Sequence, residues 1–519
     1  MTLVPTSRSG ALGRFALGGV IVIAFAAATT AVAGLLQFKQ FAKDIGATPA
    51  IKQARVTIAD AGAPQTLLLI GSDHRAGTPF SSANTDTMML VRIDPSSATI
   101  NLLSIPRDLP VQLPGRVGTY TAKLNLAYSV GGPNLLVRVL RQQVFPRLEV
   151  NHIIDVNFGG FEALVNAIGC VYTDVDHRYY NNTAYTNYSS IDLQPGYQRL
   201  CGANALSFVR FRHSDNDIVR NARQQDFLRW AKAQYPASQL VANRDTLLQI
   251  FGQHTETDAN LHTVDGLINL FNLVAFSAGH SIKQIPFPAV ILPCGPGPPA
   301  VAGQPAVVTP CYVTASAQAE AAAFRAFMSV TRPAPAAGAT PPGGSGSGAP
   351  TNGGGGPGPG APGGLTGDLS DGATQAAQLG QVGMPVYVPG QILTGSSYCT
   401  SATCTEGPVP NSYPRKYLIR DPGGATHAAY RLTLVKNSIL GQYYGVQGTT
   451  WQNPPILDSP NQTRMVDGKR LLLFTNGGKL TVVGWRTPAG AYWISNTLTG
   501  DIGNQQMIAI AASLAPTGR

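Results

Sequence analysis

Charge is scarce in this 519-residue chain: Asp, Glu, Lys and Arg together make up 12% of it. No lysine-rich run occurs, and neither zinc-finger spacing nor a helix-turn-helix pattern is present, which argues against nucleic acid as a partner. None of the six cysteines has CxxC spacing and no histidine stands beside them at ligand spacing, which argues against structural zinc. His152, His177 and His213 share no ligand spacing either, and read as structural or surface groups. The charge that is present has a sign. The formal net charge is +10, its excess carried by arginines scattered through a folded region, and it points to an anionic partner such as a lipid headgroup or a phosphorylated polymer.

A chain of this length exceeds one ordinary core and suggests two domains with linkers. Phe15 to Leu36 is an uncharged apolar stretch of 22 residues, long enough to span a bilayer as a helix. Ala31-Val32-Ala33 also fits a signal-peptide cleavage site, but the apolar run continues past it. An uncleaved single-pass anchor is therefore expected, with residues 1–14 cytoplasmic and the bulk of the chain on the extracytoplasmic side of the cell membrane. The six cysteines fall as local pairs, Cys170 with Cys201, Cys294 with Cys311 and Cys399 with Cys404. That fits disulfides in an oxidising compartment, although proximity is the only basis for these pairings and other connectivities stay open.

Residues 37–63 read as a juxtamembrane stem. From residue 64 to 330, strand-like runs (Thr66–Ile70, Thr87–Ile93, Thr99–Ile105, His152–Phe158, Gly169–Val175, Gln284–Leu292) alternate with helical spacing (Pro133–Val144, Gly159–Ile168, Ala203–Arg212, Asn221–Gln234, Val264–Phe276, Ala315–Val330). This predicts an α/β fold, an α-β-α layered catalytic domain. Residues 331–374 are Pro, Gly, Ala and Ser with almost no apolar bulk, a flexible linker by composition. Residues 375–519 predict a small α+β domain, with a hairpin turn at Asn476-Gly477 and a closing helix over Asn504–Leu514. Trp451, Trp485, Tyr492 and Trp493 read there as core rather than as a sugar platform.

Polar residues flank the apolar runs of the first domain. Asp73 follows the first run, Asp86 precedes the second and Arg107 follows the third. Arg210 and Arg212 end an apolar segment, and Asp217, Arg220 and Arg223 follow. Carboxylates that recruit a divalent cation, together with arginines that fork onto phosphate oxygens, make a site for a charged pyrophosphate. Taken singly, each arginine is more often a surface ion pair and Asp73 more often a turn residue or helix cap.

Five ordered pieces sharpen this reading: Leu67-Leu-Leu-Ile-Gly-Ser-Asp73-His-Arg75; Asn84-Thr-Asp86 through Asp94; Leu103-Ser-Ile-Pro-Arg107-Asp108; Lys123-Leu-Asn125-Leu-Ala-Tyr128; and Val209-Arg210-Phe-Arg212 with Asp217-Ile-Val-Arg220-Asn-Ala-Arg223-Gln224-Gln225. Over residues 64–235 the chain resembles the LytR-CpsA-Psr family. The resemblance implies a membrane-anchored, Mg²⁺-dependent phosphotransferase that moves a glycopolymer from a polyprenyl-pyrophosphate carrier to a peptidoglycan sugar hydroxyl. It implies that Asp73 and Asp86 hold the metal and act at the reacting centre with Arg107 and Arg212. It further implies that Arg107, Arg210, Arg212 and Arg220 clamp the pyrophosphate, that Gln224 bonds a phosphate oxygen and that Asp217 positions Arg220 or the metal. Lys123 and Arg223 are additional candidates. The chain departs from the family pattern at His74, where a small hydroxyl residue is frequent, and at Asn84, where Arg is frequent.

Two other readings stay open on the residues alone: a polyprenyl-pyrophosphate hydrolase, and a non-catalytic lipid-phosphate, cell-wall-binding or regulatory protein. The heavy use of Ala, Gly and Pro fits a GC-rich genome and, through it, arabinogalactan as the polymer.

Overall fold

The computed structural model describes residues 50–51, 56–60, 62–74, 78–183, 190–212, 216–277, 279–292, 312–332, 363–400, 403–404 and 412–517. The expected span over residues 15–36, Cys294, Cys311, His213 and most of the expected linker lie outside the described residues. Among the described residues no helix is long and apolar enough to cross a membrane.

The N-terminal unit is a mixed α/β fold. Its strands are β1 (Gln65–Ser72), β2 (Thr85–Ile93), β3 (Thr99–Ser104), β4 (Pro110–Pro114), β5 (Thr119–Lys123), β6 (His152–Asn157), β7 (Val171–Val175), β8 (Tyr179–Asn181), β9 (Ile191–Leu193), β10 (Gly196–Leu200), β11 (Thr255–Thr257) and β12 (Ser281–Ile285). Helices α1 (Asn125–Val139), α2 (Phe158–Ala167), α3 (Gly202–Arg210) and α4 (Asp217–Gln234) carry most of the chemistry discussed below. Six strands make the central sheet in the order β11-β6-β1-β2-β3-β12. β1 runs parallel to β6 and β3 parallel to β12, and the other pairings are antiparallel. Both faces are covered. Leu68, Ile70, Met88 and Leu90 pack with α1 and the helix Ala317–Met328, while Leu67, Met89 and Val91 pack toward the helix Val264–Phe276. Burial on both sides is why β1 reads as an unbroken apolar run rather than an alternating one.

Local chemistry places the boundaries. Asp94 Oδ1 accepts from the Ser96 amide at 2.9 Å and closes the β2–β3 turn. The helix expected over residues 133–144 begins at Asn125 and bends at Gly131-Gly132, ahead of Pro133, with Gly132 at φ +64°. The glycine pair hid its first turns from the apolar periodicity. The strand expected over residues 284–292 starts at Ser281 and stops before Pro286, which has no amide to donate. The hairpins β4–β5 and β8–β9 were not foreseen.

The C-terminal unit begins within the segment expected as linker, with strand Leu365–Gly367 and helix Leu369–Leu379. Its main feature is an eight-stranded antiparallel sheet. One set of its side chains, among them Leu432, Val446 and Ile494, packs with the helix Asn504–Ser513. Another set, with Trp451, Trp493 and Phe474, joins Val165, Phe208, Phe227 and Trp230 of α2, α3 and α4 in one shared core. The apolar faces of α2 and α4 are thus covered by the C-terminal unit. Asp174 accepts from the buried Arg431 at 3.1 Å across the same junction.

Cys170 is bonded to Cys201 and Cys399 to Cys404. The first bond links the end of α2 to the start of α3 across a separation of 31 residues. Replacing both partners by Ser is expected to lower stability by about 3–4 kcal/mol, from the loop entropy returned to the unfolded chain. Denaturant unfolding of the oxidised protein, the double variant and the reduced wild type checks this; equal midpoints for all three would refute it.

Candidate functional site

The site forms where β1 and β2 separate. The ladder shifts register between Gly71 and Ser72. A Cβ at Gly71 would stand 3.0 Å from the Cβ of Thr87, so only glycine permits this approach without displacement. Asp73 follows β1 and is exposed; it accepts from the Asn84 amide at 2.5 Å and from the Asn84 side chain at 3.5 Å. Asp86 stands two residues further along, near the start of β2.

Asp86 gathers three arginines. Arg107 donates to Oδ1, Arg210 Nε lies 3.1 Å from Oδ2, and Arg220 Nη1 approaches Oδ1 to 3.9 Å. Burial pushes the Asp86 carboxyl up, but the charges of Arg220, Arg107 and Arg210 together outweigh it and hold the group below its ordinary value. Arg220 is 1% exposed and paired with the fully buried Asp217. The other carboxylate oxygen of Asp217 accepts from the main-chain amide of Arg107 at 2.7 Å. Asp217 thus ties the loop after β3 to the first turn of α4, where Asn216 caps the helix by accepting from Ile218 and Val219 at 2.9 and 3.0 Å. A carboxylate in that first turn also suits the positive end of the helix dipole.

A second carboxylate, Asp108, organises the rim. It accepts from Lys123 Nζ at 2.9 Å and from Arg212, and Arg107 Nε lies 3.9 Å away. Sequence reasoning quoted Asp108 within its motif and gave it no role. Its position directly after Arg107 was the available signal. Arg210 lies 3.8 Å over the Phe158 ring, which fixes its direction through a cation–π contact. Arg107, Arg210, Arg212 and Lys123 remain between 22% and 31% exposed. With Arg220 they make five cations against the three carboxylates Asp86, Asp108 and Asp217, so the cluster is positive and open to solvent on one side. Arginine forks in such a setting suit planar or tetrahedral oxyanions.

Two expected phosphate contacts point elsewhere. Arg223 is buried and donates to the carbonyls of Phe208 and Phe211 at 3.0 and 2.8 Å; Gln224 Nε2 donates to the carbonyl of Val209 at 3.0 Å. Both satisfy orphan carbonyls where α3 ends, and so place Arg210 and Arg212. His152 pairs with Asp258 at 3.2 Å and His177 with Asp176 at 3.3 Å, both as structural groups.

Behind Asp73 lies a buried polar cluster that the sequence did not announce. Ser72 Oγ donates to Asp155 Oδ1 at 2.7 Å, Tyr128 donates to Oδ2, and His74, stacked on Phe80, stands 3.5 Å from Glu256. Burial raises Asp155 from 3.8 to about 6, against the hydrogen bonds from Tyr128 and Ser72. Between those two values the folded state binds more protons than the unfolded chain, so this group makes stability fall as pH rises through the window and level off above it. Asp155→Asn is expected to remove that slope. Thermal melts of wild type and variant across the window check it, and a constant difference between the two would refute it.

Among the described residues no group of three or more His, Cys, Asp or Glu side chains converges as a metal cage. Asp73 and Asp86, on neighbouring strand ends, are oxygen donors of the type Mg²⁺ takes when it keeps several waters and shares phosphate oxygens with a substrate; Asp73 is exposed, and both oxygens of Asp86 face arginines.

The LytR_cpsA_psr family model matches residues 33–292. Over 206 residues the chain is 29% identical to the polyisoprenyl-teichoic acid–peptidoglycan teichoic acid transferase TagV of Bacillus subtilis, covering 39% of this chain and 51% of that protein. It is 32% identical over 196 residues to the probable cell wall biosynthesis protein LcpB of Corynebacterium glutamicum, covering 35% of this chain and 43% of that one. The chain thus spans about half the length of these curated relatives. The crystal structure of B. subtilis TagV aligns with a TM-score of 0.40 at 22% identity, covering 52% of this chain and 97% of that one.

Proposed function

Since the chain belongs to the LytR_cpsA_psr family, we propose that it is a phosphotransferase of cell-wall assembly. Its donor is a glycopolymer on a polyprenyl-pyrophosphate carrier and its acceptor a peptidoglycan sugar hydroxyl. The observation that carries this reading is the partly exposed cluster of Arg107, Arg210, Arg212 and Lys123 beside the buried Arg220–Asp217 pair. A binding module needs affinity for a lipid phosphate; a rigid, excess-positive cluster also stabilises charge that grows on a leaving phosphate.

In this reading Arg107 and Arg210 receive the pyrophosphate oxygens, with Asp86 holding both guanidinium groups in place. Arg212 and Lys123, oriented by Asp108, neutralise the departing polyprenyl phosphate. Asp73, exposed after β1, accepts the proton of the incoming hydroxyl. Asp73 and Asp86 would hold Mg²⁺, which would supply Lewis-acid neutralisation of the phosphate oxygens. The chain works from the outer face of the cell membrane, anchored by residues 15–36. Arabinogalactan is the polymer we favour, from the composition of the chain.

The test is turnover by the full chain in detergent with a short-chain lipid-pyrophosphate glycan, nascent peptidoglycan and Mg²⁺. Glycan attached to peptidoglycan and lost with EDTA supports the transferase. Phosphate release without attachment replaces it with a hydrolase, and lipid binding without any turnover replaces it with a binding role.

A further inference from the structure

Beside the arginine cluster, on an adjoining side of α4, a groove of about 190 Å³ opens between the two units. That is far more than the ~10–15 Å³ one water needs. Pro106, Ile218 and Asn221 border it, and these are the chain neighbours of Arg107, Asp217 and Arg220. The far wall comes from the C-terminal unit, including Asn476 and Ser495 of its sheet and Thr497 of the following loop.

The polar atoms of this groove are unusual in two ways. Ser104 Oγ, Asn221 Nδ2, Gln284 Nε2 and Ser495 Oγ are all buried and have no hydrogen-bond partner in the protein. Buried polar groups are normally satisfied, and four unsatisfied ones around one cavity point to a ligand that satisfies them. The charged groups, by contrast, are already engaged. Asp226 accepts from Trp230 at 2.9 Å and from Arg229, Asp174 accepts from Arg431 at 3.1 Å, and Lys479 donates to the Gly500 carbonyl at 3.2 Å. A cationic ligand finds Asp226 and Asp174 already paired with arginines, whereas a neutral polyol finds donors and acceptors. Trp230, Phe287 and Pro286 add apolar wall for the C–H faces of a ring.

We propose that this groove binds a neutral sugar unit of a glycan, and that the C-terminal unit exists in part to close it. The choice of glycan rests on the transferase reading; the sugar class rests on the groove. The C-terminal sheet and α4 then hold the sugar one helix-width from the arginines, so that a chain of sugars leaving the groove is directed at the phosphate site.

Saturation-transfer NMR on the full chain in detergent tests this, with a neutral N-acetylglucosamine–N-acetylmuramic acid disaccharide amidated at its lactyl carboxylate and a neutral galactan oligosaccharide as probes. Wild type is expected to bind at least one of them, and Asn221→Leu and Ser495→Ala to weaken that binding by about tenfold or more. Both variants remove an unpartnered buried group, so their melting temperatures are expected to hold or rise. Binding of the disaccharide alone identifies the acceptor strand as the occupant, and binding of the galactan alone identifies the donor polymer. No transfer to either probe by the folded protein overturns the proposal and leaves the groove to water. Equal binding by the variants overturns it too, since the sugar then sits elsewhere. If sugar binding is lost in the variants while wild type shows no glycan transfer, the transferase reading fails and the groove stands.

Discussion

Arg220→Met is expected to destabilise the protein by about 3–5 kcal/mol, because it strands a buried carboxylate. Arg220 is 1% exposed and Asp217 fully buried, so neither charge has water to fall back on. Burial lowers the pKa of Arg220, Asp217 raises it again, and the guanidinium stays protonated. Without it, Asp217 keeps the amide of Arg107 as a donor but loses its counter-charge. The N-terminus of α4 and the loop after β3 are then expected to separate, and with them the positions of Arg107 and Asp86. Turnover is expected to vanish together with stability. Urea unfolding of Arg220→Met and of the double variant Arg220→Met/Asp217→Leu separates the causes. The double variant, with both charges gone, is expected to recover much of the stability and none of the activity. A single variant as stable as wild type would refute the account.

Arg107→Ala is expected to do the opposite: turnover falls about 10²–10³-fold while stability changes little. The side chain is 22% exposed and makes its main contact with Asp86, which retains Arg210 and Arg220. The structural bond of residue 107 comes from its main-chain amide to Asp217, and alanine keeps that amide. The loss therefore belongs to the guanidinium and its phosphate contacts. Arg107→Lys is expected to recover only a small part of the rate, since an ammonium cannot fork. Steady-state kinetics with lipid-pyrophosphate glycan, beside thermal melts, checks both variants. Full transfer by a well-folded Arg107→Ala would remove this residue from the site.

Much of the first domain was legible because its elements obey simple periods. β1, β2 and β6 are short β-branched or Leu runs bounded by turn residues, and the strand register follows from the Asp94-Pro-Ser-Ser turn. The helix Val264–Phe276 stands where its periodicity placed it. Legibility failed where a local rule was overridden. Gly131-Gly132 masked half of α1, and two prolines cut short the strand near residue 285. The hairpin β4–β5 escaped because each strand is only five residues long and β5 faces solvent over its first three.

The candidate site divides along the same line. The amino-acid sequence by itself determined which residue types occur and in which order, because motif chemistry is local: an aspartate after a strand, an arginine after Ser-Ile-Pro, two arginines ending an apolar segment; the helix expected from Asn221 in fact opens four residues earlier, on Asp217. Only the tertiary structure decided who meets whom. Arg210 reaches Asp86 across 124 positions and Arg212 reaches Asp108 across 104. Arg223 and Gln224 look identical in kind to their neighbours in sequence, yet face the carbonyls at the end of α3 rather than the cluster. The shared core beneath the C-terminal sheet was equally invisible, since an apolar helix face does not state which surface will cover it. Hydrophobic burial is non-directional and its partner is chosen by the whole chain, whereas an ion pair needs its two groups within a few ångströms, a distance set by packing.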